Sequence, residues 1–473
     1  MTTRQAAEAI LAWYRARQPA ELRADLNDPR ASADLLAAVD VVAAAALDPD
    51  PERASAGLRT LFGQIIEALN DRLEAPGRTL SDRIMLRVIW QAAQRDPRLS
   101  QALATHGITH QAELIARHAA LVSGQAWKPP AAPRRIAVLS RVTLGADILL
   151  TSIMLQHARQ RWPEAQVLLV GAAKLTALFG GRDGCTVLAV DYPRRGGLGP
   201  RLEAWLTTAQ RLAEHDVDLV LNPDSRLDQL GLLPLAPLSA SALWRGLLPA
   251  DRPPGSLAAL LDDWCRARLN PQATPCLPRL WPDATTRHQS DILARRLGPG
   301  PWLACKFDHG GNPAKALPQA AEVAILQAAR QRGWRILLDR GFGAEEEAAS
   351  DALLAASGAT AWDLAESDLD QSADGPPPEA LVRLSGSIGF WAAALRCSRL
   401  ALSYDSVGHH LAAALGVPVI IAFTGHPHDA FAAAWRSCGP AAITQIVIPN
   451  DARAQPEQWQ RVIEAITDME AGG

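Results

Sequence analysis

Four loops of this 473-residue chain carry polar side chains in patterns that suit proton transfer or phosphate binding. In the first, residues 140–147 with the sequence SRVTLGAD, the carboxylate Asp147 follows a turn at Gly145. Asp147 has the chemistry of a general base that deprotonates a hydroxyl group. Aspartate is also common in the first turn of a helix, where it caps free N–H groups. The residues alone leave both roles open.

The second loop, residues 306–315 with the sequence KFDHGGNPAK, has the composition of a phosphate site. Gly310 and Gly311 allow the backbone to approach a ligand closely, and Lys315 can hold a phosphate as a compact point charge. Basic residues of this chain are nearly all arginines, yet two of its four lysines lie here. The Walker spacing is absent, so the loop is not a P-loop. A solvated surface loop is the alternative interpretation.

The third loop opens the segment YDSVGHHLAAALGVP, residues 404–418, which predicts a strand end followed by a helix. Asp405 or Ser406 can cap that helix. Its first N–H groups and the positive end of its dipole also form an anion site, to which Gly408 gives access and which His410 can reach. A structural role for the histidine is the alternative.

The fourth loop, residues 423–429 with the sequence FTGHPHD, follows another strand, and we expect its Thr424 and Gly425 to bind the donor. Histidines 409, 410, 426 and 428 are close in sequence, which raises the question of a metal site. Their spacing matches no metal-binding pattern such as H-E-x-x-H. We therefore expect neither a metal ion nor a cofactor.

A separate basic patch at Arg194 and Arg195 precedes two glycines. Such a patch is commonly a solvated loop, and its alternative role here is to face an anionic acceptor.

Charge and cysteine usage narrow the class of protein. A net charge of -3 lacks the basic footprint of nucleic-acid binders, so we expect no nucleic-acid partner. The six cysteines form no C-x-x-C pair, which argues against a disulfide framework and a cysteine zinc site.

The start of the chain, MTTRQAAEAILAWYRARQ, predicts an amphipathic helix and not a signal peptide. The expected location is the cytoplasm, with peripheral association at the inner membrane as an alternative.

The elements that must position these loops follow from hydrophobic periodicity. Residues 1–124 predict an all-helical domain, and the proline-rich residues 125–133 predict an extended linker. Short apolar runs that alternate with helices predict two α/β domains, residues 134–283 and 284–473. The predicted strands are 136–140, 167–171, 186–190, 218–223, 302–307, 335–339, 400–404 and 418–423. All four loops follow such strands, where ligands of parallel sheets bind.

Several of these segments resemble the ADP-heptose–lipopolysaccharide heptosyltransferases, glycosyltransferase family 9. The resemblance lies in LGADILLTSIMLQHARQRWPEAQVLLVG, in NPAKALP and above all in DSVGHHLAAALGVPVIIAF, within residues 134 to 470. The family usually has adjacent Gly-Asp where Ala146 separates Gly145 from Asp147. It has glycine at the position of Val407.

The resemblance implies the GT-B fold, two Rossmann-like domains facing across a cleft, here preceded by the all-α domain. It implies inverting, metal-independent transfer of a heptose or hexose from a nucleotide-sugar to a glycan, lipid-linked or protein acceptor. Asp147 falls on the family's proposed base and Lys315 on its phosphate-binding lysine. Asp405, Ser406 and His410 fall in its donor-binding motif. We expect the helical domain to contact the acceptor.

Two other classes remain open at this point. One is a binding or assembly module that has lost catalysis, and the other is a nucleotide-sugar epimerase, which also has two facing α/β domains.

Overall fold

The structure is a computed structural model that describes residues 1–27, 32–124, 127–193, 198–227, 240–249, 255–310, 312–341, 343–371 and 375–469. Three predicted site residues, Arg194, Arg195 and Gly311, lie outside the described residues. Their predicted roles stay predictions.

The N-terminal region consists of helices whose apolar sides face one another. Helix α1 starts at a capping box in which Thr2 and Gln5 satisfy each other's backbone N–H groups, and it buries Ile10 and Tyr14. A π-helical stretch, Arg59–Ile66, joins α4 to α5. The described residues of this region form the α-helices α1 (Thr3–Arg15), α2 (Pro19–Asn27), α3 (Ala33–Ala46), α4 (Pro51–Leu58), α5 (Glu67–Asn70), α6 (Ala75–Ala93), α7 (Pro97–Ala104) and α8 (Gln111–Ser123).

The first sheet has five parallel strands in the order β3-β2-β1-β4-β5. Its strands are β1 (Arg135–Leu139), β2 (Gln166–Gly171), β3 (Thr186–Ala189), β4 (Leu219–Asn222) and β5 (Ser241–Leu243). Its helices are α9 (Leu144–Ala146), α10 (Ser152–Arg161), α11 (Thr176–Phe179), α12 (Leu198–Glu214) and α13 (Leu257–Arg268). A π-helical turn, Asp147–Thr151, connects α9 to α10.

The second sheet has seven parallel strands in the order β12-β11-β10-β6-β7-β9-β8. Its strands are β6 (Trp302–Lys306), β7 (Arg335–Asp339), β8 (Ala361–Ala365), β9 (Leu381–Ser385), β10 (Leu400–Tyr404), β11 (Val419–Phe423) and β12 (Ile443–Val447). Its helices are α14 (Ala284–Leu297), α15 (Gln319–Gln331), α16 (Ala344–Ser357), α17 (Ile388–Arg396), α18 (Val407–Ala414), α19 (Asp429–Ala434) and α20 (Pro456–Asp468).

All eight strands predicted from the sequence are present, with ends that differ by at most one residue. Continuous apolar runs identify them because both faces of a parallel sheet are covered. The sequence did not predict β5, β8, β9 and β12. Strands β8 and β12 lie at sheet edges and are half-exposed, and β9 carries the charged Arg383, so none of these three reads as an apolar run.

The two faces of the first sheet pack against different partners. Ile136 and Val138 of β1 belong to a core shared with α10 and α13. Ala137 and Leu139, which point to the opposite face, belong to a core shared with α12 and the N-terminal helices. The N-terminal helices therefore cover part of one face of the first sheet. No helix within the described ranges is both long and apolar enough to cross a membrane.

We expect a chain that begins at residue 125 to lose its fold. Removal of the N-terminal helices uncovers the face of the first sheet that carries Ala137, Leu139 and Val170, and exposed apolar surface costs roughly 25 cal/mol per Å². The measurement compares soluble yield and thermal unfolding of the truncated and full chains. A truncated chain that unfolds cooperatively near the melting temperature of the full chain would contradict this packing.

Candidate functional site

A cavity of about 440 Å³ lies between the two sheets, at the carboxyl ends of their strands. The loops after β1, β2 and β3 form one wall through residues that include Ser140, Thr143, Gly145, Lys174 and Tyr192. The loops after β6 and β10 form the other wall through Asp308, Gly310, Ser406 and Val407. The structure thus brings the first, second and third predicted loops to one cavity.

The two walls touch at Gly145. A Cβ atom at this position would lie 3.1 Å from Cδ2 of His410 and 3.8 Å from Cα of Val407. A side chain at this position would make a tight contact with the His410 ring at the start of α18. Gly145, which lies within α9 and has no positive φ, therefore allows the two α/β units to approach closely here.

Lys315 and Asp405 form an ion pair beside the cavity. The Lys315 ammonium lies 2.6 Å from Oδ2 of Asp405 and donates to the Asp405 carbonyl at 3.2 Å. Burial favours a neutral Asp405, but His409 and Lys315 outweigh it and hold the pKa of Asp405 well below its usual range. About a quarter of the Lys315 side chain stays exposed, so an anion can reach it.

Ser406 caps the start of helix α18, and its hydroxyl accepts a long hydrogen bond of 3.4 Å from the N–H of Gly408. Ser406 and Val407 line the cavity, whereas Asp405, Gly408 and His410 lie behind them. A Cβ on Gly408 would lie 2.6 Å from Oγ of Ser403. Gly408 therefore permits tight packing of α18 on β10, and it is Ser406 that faces the cavity.

His410 is buried next to a second histidine. Oγ of Ser437 lies 3.1 Å from Nδ1 of His410 and 2.6 Å from Nδ1 of His409. The ring centroids are 3.9 Å apart. Burial, followed by the neighbouring His409, lowers the pKa of His410 well below its usual value. His410 is accordingly neutral at pH 7 and stands behind the point where the two walls touch.

Gly425 supports the turn that carries Lys315. It has a positive φ of 71°, and a Cβ there would lie 2.6 Å from the carbonyl carbon of Ala314. Its N–H donates to Oδ1 of Asn450 at 2.7 Å. Thr424 is fully buried and does not line the cavity. Gly310 lines the cavity, and its N–H donates to Oδ1 of Asp308 at 2.6 Å.

The structure places Asp147 behind the cavity wall, with 1% of the residue exposed. Its carboxylate accepts hydrogen bonds from the Ser140 hydroxyl at 2.7 Å, the Arg141 N–H at 2.7 Å and the Thr151 hydroxyl at 2.8 Å. Burial raises the pKa of Asp147, and these three bonds oppose the rise. Direct contact between Asp147 and a ligand in the cavity is therefore blocked. Its role as the base stays a prediction.

A π-helical turn, Asp147–Thr151, follows Ala146 directly. An i→i+5 turn holds one residue more than an α-helical turn. Asp147 is the first residue of that turn, and Thr151, its hydrogen-bond partner, is the last.

A buried cluster of one carboxylate and three arginines joins the helical region to the cavity wall. Asp224, just after β4, contacts Arg141 at 2.5 Å, Arg226 at 2.7 Å and Arg78 of α6 at 3.4 Å. Burial would raise the pKa of Asp224, but the three guanidinium groups hold it far below its usual range. The cluster fixes Arg141, whose backbone N–H in turn holds Asp147.

Sequence reasoning missed several residues at this site. Asp308 is the only carboxylate among the residues that line the cavity within the described ranges. Lys174 and Tyr192 line the opposite wall. Position directly after a predicted strand would have been the signal for Asp308. No local pattern marks Asp224, since its partner Arg78 is 146 residues away.

Among the residues that the structure describes, one group of three has side chains close enough to share a metal ion: His157, Asp262 and Cys276. Asp262 is already engaged by His157 at 2.7 Å, the Cys276 N–H at 2.8 Å and Arg266 at 3.0 Å. These contacts give the cluster a structural role. His428 is one of the four histidines that are close in sequence. Its Nε2 atom lies 2.9 Å from the Asp71 carbonyl oxygen in the helical region. The expectation of a metal-free protein stays a prediction.

Glu322 lines a second cavity of about 300 Å³ next to the loop after β6. Its carboxylate accepts a hydrogen bond of 2.6 Å from the Tyr404 hydroxyl. Burial raises the pKa of Glu322 to about 7 despite this bond. The folded protein therefore binds the Glu322 proton more tightly than the unfolded chain does.

The raised pKa of Glu322 predicts a pH-dependent effect of Glu322→Gln. The contribution of Glu322 to stability is fully present below its usual pKa of 4.5 and is lost as the pH rises through about 7. The amide cannot ionise and still accepts the Tyr404 bond. We expect it to raise the free energy of unfolding by about 2 kcal/mol more at pH 8 than at pH 5. Denaturant titrations at both pH values measure this, with the exposed Glu464→Gln as control. An equal effect at both pH values would contradict the raised pKa.

Comparisons with known proteins bear on the fold. No protein-family model and no curated protein matches the chain. A glycosyltransferase family 9 structure from Veillonella parvula is 16% identical, with a TM-score of 0.51 over 71% of this chain and 98% of that one. The E. coli ADP-heptose lps heptosyltransferase II is 16% identical, with a TM-score of 0.49 over 71% and 98%. The E. coli heptosyltransferase WaaC with ADP is 15% identical, with a TM-score of 0.49 over 71% and 99%.

At these identities the likeness concerns the fold. The Veillonella structure confirms the fold class predicted from the sequence. The chain therefore has the fold of a family 9 glycosyltransferase, with two parallel sheets in the GT-B arrangement facing across a cleft.

Proposed function

We propose that this chain is an inverting glycosyltransferase that moves a sugar from a nucleoside diphosphate to a hydroxyl group without a metal ion. The observation that carries the proposal is the cavity between the two sheets. A helix start lines one side of it, with the partly exposed Lys315 beside that helix start, and a buried carboxylate held by a hydroxyl in the wall lies on the other side.

The donor diphosphate is proposed to bind at Ser406, Lys315 and Gly310. The first N–H groups of α18 and the Lys315 ammonium offer positive charge where the leaving diphosphate gains negative charge. Asp405 holds Lys315 in place, and Gly425 packs closely against its turn, while the neighbouring Thr424 is fully buried. In this arrangement the protein supplies the stabilisation that a metal ion provides in other enzymes.

The acceptor is proposed to enter along the wall formed by the first sheet, where Tyr192 and Lys174 lie. The helical region reaches this entrance, since the Arg201 guanidinium lies 4.2 Å from the ring centre of Phe62 and 5.6 Å from that of Tyr192. A glycan, lipid-linked or protein acceptor fits the proposal, with Arg194 and Arg195 as contacts for an anionic one. The proposed location is the cytoplasm, at the inner membrane for a lipid-linked acceptor.

The reaction needs a single displacement. The acceptor oxygen attacks the anomeric carbon, the bond from that carbon to the diphosphate oxygen breaks, and the nucleoside diphosphate leaves with the electron pair. The acceptor proton passes to the protein, with Asp147 as the proposed final base. The configuration at the anomeric carbon inverts because only one displacement occurs.

A binding module without catalysis is the second candidate, and the burial of Asp147 favours it. Such a module binds nucleotide-sugars without releasing a nucleoside diphosphate. Release of a nucleoside diphosphate therefore distinguishes the glycosyltransferase from the binding module.

The test is release of nucleoside diphosphate from ADP-, GDP- and UDP-sugars, including ADP-heptose, with and without EDTA. We expect release from at least one donor, unchanged by EDTA. Lys315→Ala is expected to weaken binding of that nucleoside diphosphate by about 10- to 100-fold in calorimetric titration, the effect of losing one charged hydrogen bond.

Lys128→Ala, which removes an exposed lysine far from the cavity, is the control and is expected to bind as the unmodified chain does. Binding without release from any donor would favour the binding module. Activity abolished by EDTA and restored by a divalent cation would refute metal independence.

A further inference from the structure

Ser140 occupies the position between the buried carboxylate and the cavity. It is the first residue after β1, and it lines the cavity, while Asp147 does not. Its hydroxyl donates to Oδ2 of Asp147 at 2.7 Å. A ligand in the cavity can therefore contact Ser140 but not Asp147.

The hydrogen bonds of Ser140 leave one position open towards a ligand. A hydroxyl has one proton to donate and two lone pairs to accept with. The proton goes to Asp147, and one lone pair accepts the Val142 N–H at 2.9 Å. This hydroxyl makes no other hydrogen bond within the described residues, so its second lone pair is available to a hydroxyl group in the cavity.

The chain holds Ser140 in place at some cost to its backbone. Val142 has φ of 66°, which is unfavourable for a β-branched residue, and this conformation accompanies the bond from its N–H to Ser140. Gly171 of β2 also leaves room, because a Cβ there would lie 2.6 Å from Cβ of Ser140 and 3.1 Å from its Oγ. The strained backbone of Val142 and the absence of a side chain at Gly171 thus both help to hold the Ser140 hydroxyl in position.

The two Asp147 oxygens have different surroundings. Oδ1 accepts from the Arg141 N–H and the Thr151 hydroxyl, which keep the carboxylate fixed. Oδ2 faces Ser140. Burial favours the protonated form of this carboxyl and raises its pKa, which suits a group that must accept a proton.

We propose that Ser140 relays the acceptor proton to Asp147. This inference rests on the proposed glycosyltransferase function. As the acceptor oxygen bonds to the anomeric carbon, its proton moves to Oγ of Ser140, and the Ser140 proton moves to Oδ2 of Asp147. The bond from the anomeric carbon to the diphosphate breaks in the same step. The net result is one proton transferred from acceptor to Asp147, with Ser140 unchanged.

The relay predicts a loss of kcat in Ser140→Ala of about 100-fold or more, with KM changed less than threefold, because general base catalysis contributes about this much. The assay uses the sugar nucleotide that the unmodified chain turns over fastest. Ser140→Ala and Asp147→Asn should not be additive: the double variant should be no slower than Asp147→Asn alone. Thr208→Val, which removes a buried hydroxyl of α12 far from the cavity, is the control.

A measurement on the unmodified chain covers the case in which the Asp147 variant does not fold. The rate in mixtures of H₂O and D₂O should depend on the deuterium fraction along a curve, since two protons move together, whereas a single transfer gives a straight line. A straight line, or Ser140→Ala with unchanged kcat, would overturn the relay and leave the glycosyltransferase function standing. Absence of release from every donor would overturn the function itself, and the relay with it.

Discussion

The structure depends on how the apolar face of the first sheet is covered. In this chain α12 and the N-terminal helices share that task, with Leu139 of β1 packed in a common core with helices far earlier in the sequence. The Asp224 cluster lies beside this core, where Arg78 of α6 and Arg141 of the cavity wall meet one carboxylate. A buried carboxylate with three arginine partners is costly to disrupt, because loss of one charge leaves the others uncompensated. The helices thereby help to hold a loop that lines the cavity.

This arrangement connects local backbone geometry with the proposed chemistry. Asp224 binds the Arg141 guanidinium, and Asp147 accepts a hydrogen bond from the Arg141 backbone N–H. The loop after β1 is therefore held at both the side chain and the backbone of Arg141. The π-helical turn begins at Asp147, whose carboxylate accepts hydrogen bonds from the Ser140 and Thr151 hydroxyls. A relay through Ser140 gives the buried carboxylate access to the cavity. Without such a relay, the same contacts describe a purely structural aspartate.

The sequence predicted the parts of the molecule that depend on local patterns. The apolar runs of the central strands and the loops that follow them were recognisable, and so were Ser406, which lines the cavity, and Lys315, which lies beside it. Edge strands such as β12 were missed because half-exposed strands mix polar and apolar residues. The sequence did not predict the Asp224 cluster or the burial of Asp147 behind the cavity wall, since both result from contacts between distant segments.

Two glycines of the site have a different role in the structure from the one that the sequence predicted. The sequence predicts that Gly408 and Gly425 belong to the donor site. In the structure Gly408 allows α18 to pack on β10, and Gly425 makes room for the turn that carries Lys315. Both matter to the site, but through packing behind it. Only three-dimensional contacts distinguish these roles, because a sequence pattern identifies conformational freedom and not the neighbour that requires it.

The central claim is that a nucleoside diphosphate binds between the two sheets with its phosphates at the start of α18. Crystal structures of the full chain grown with ADP and, separately, with UDP test this most directly. The account predicts that at least one nucleotide places a phosphate oxygen within hydrogen-bond distance of both the Lys315 ammonium and Ser406, across the cavity from Ser140. A diphosphate bound elsewhere on the protein, or a cavity that neither nucleotide enters, would contradict it.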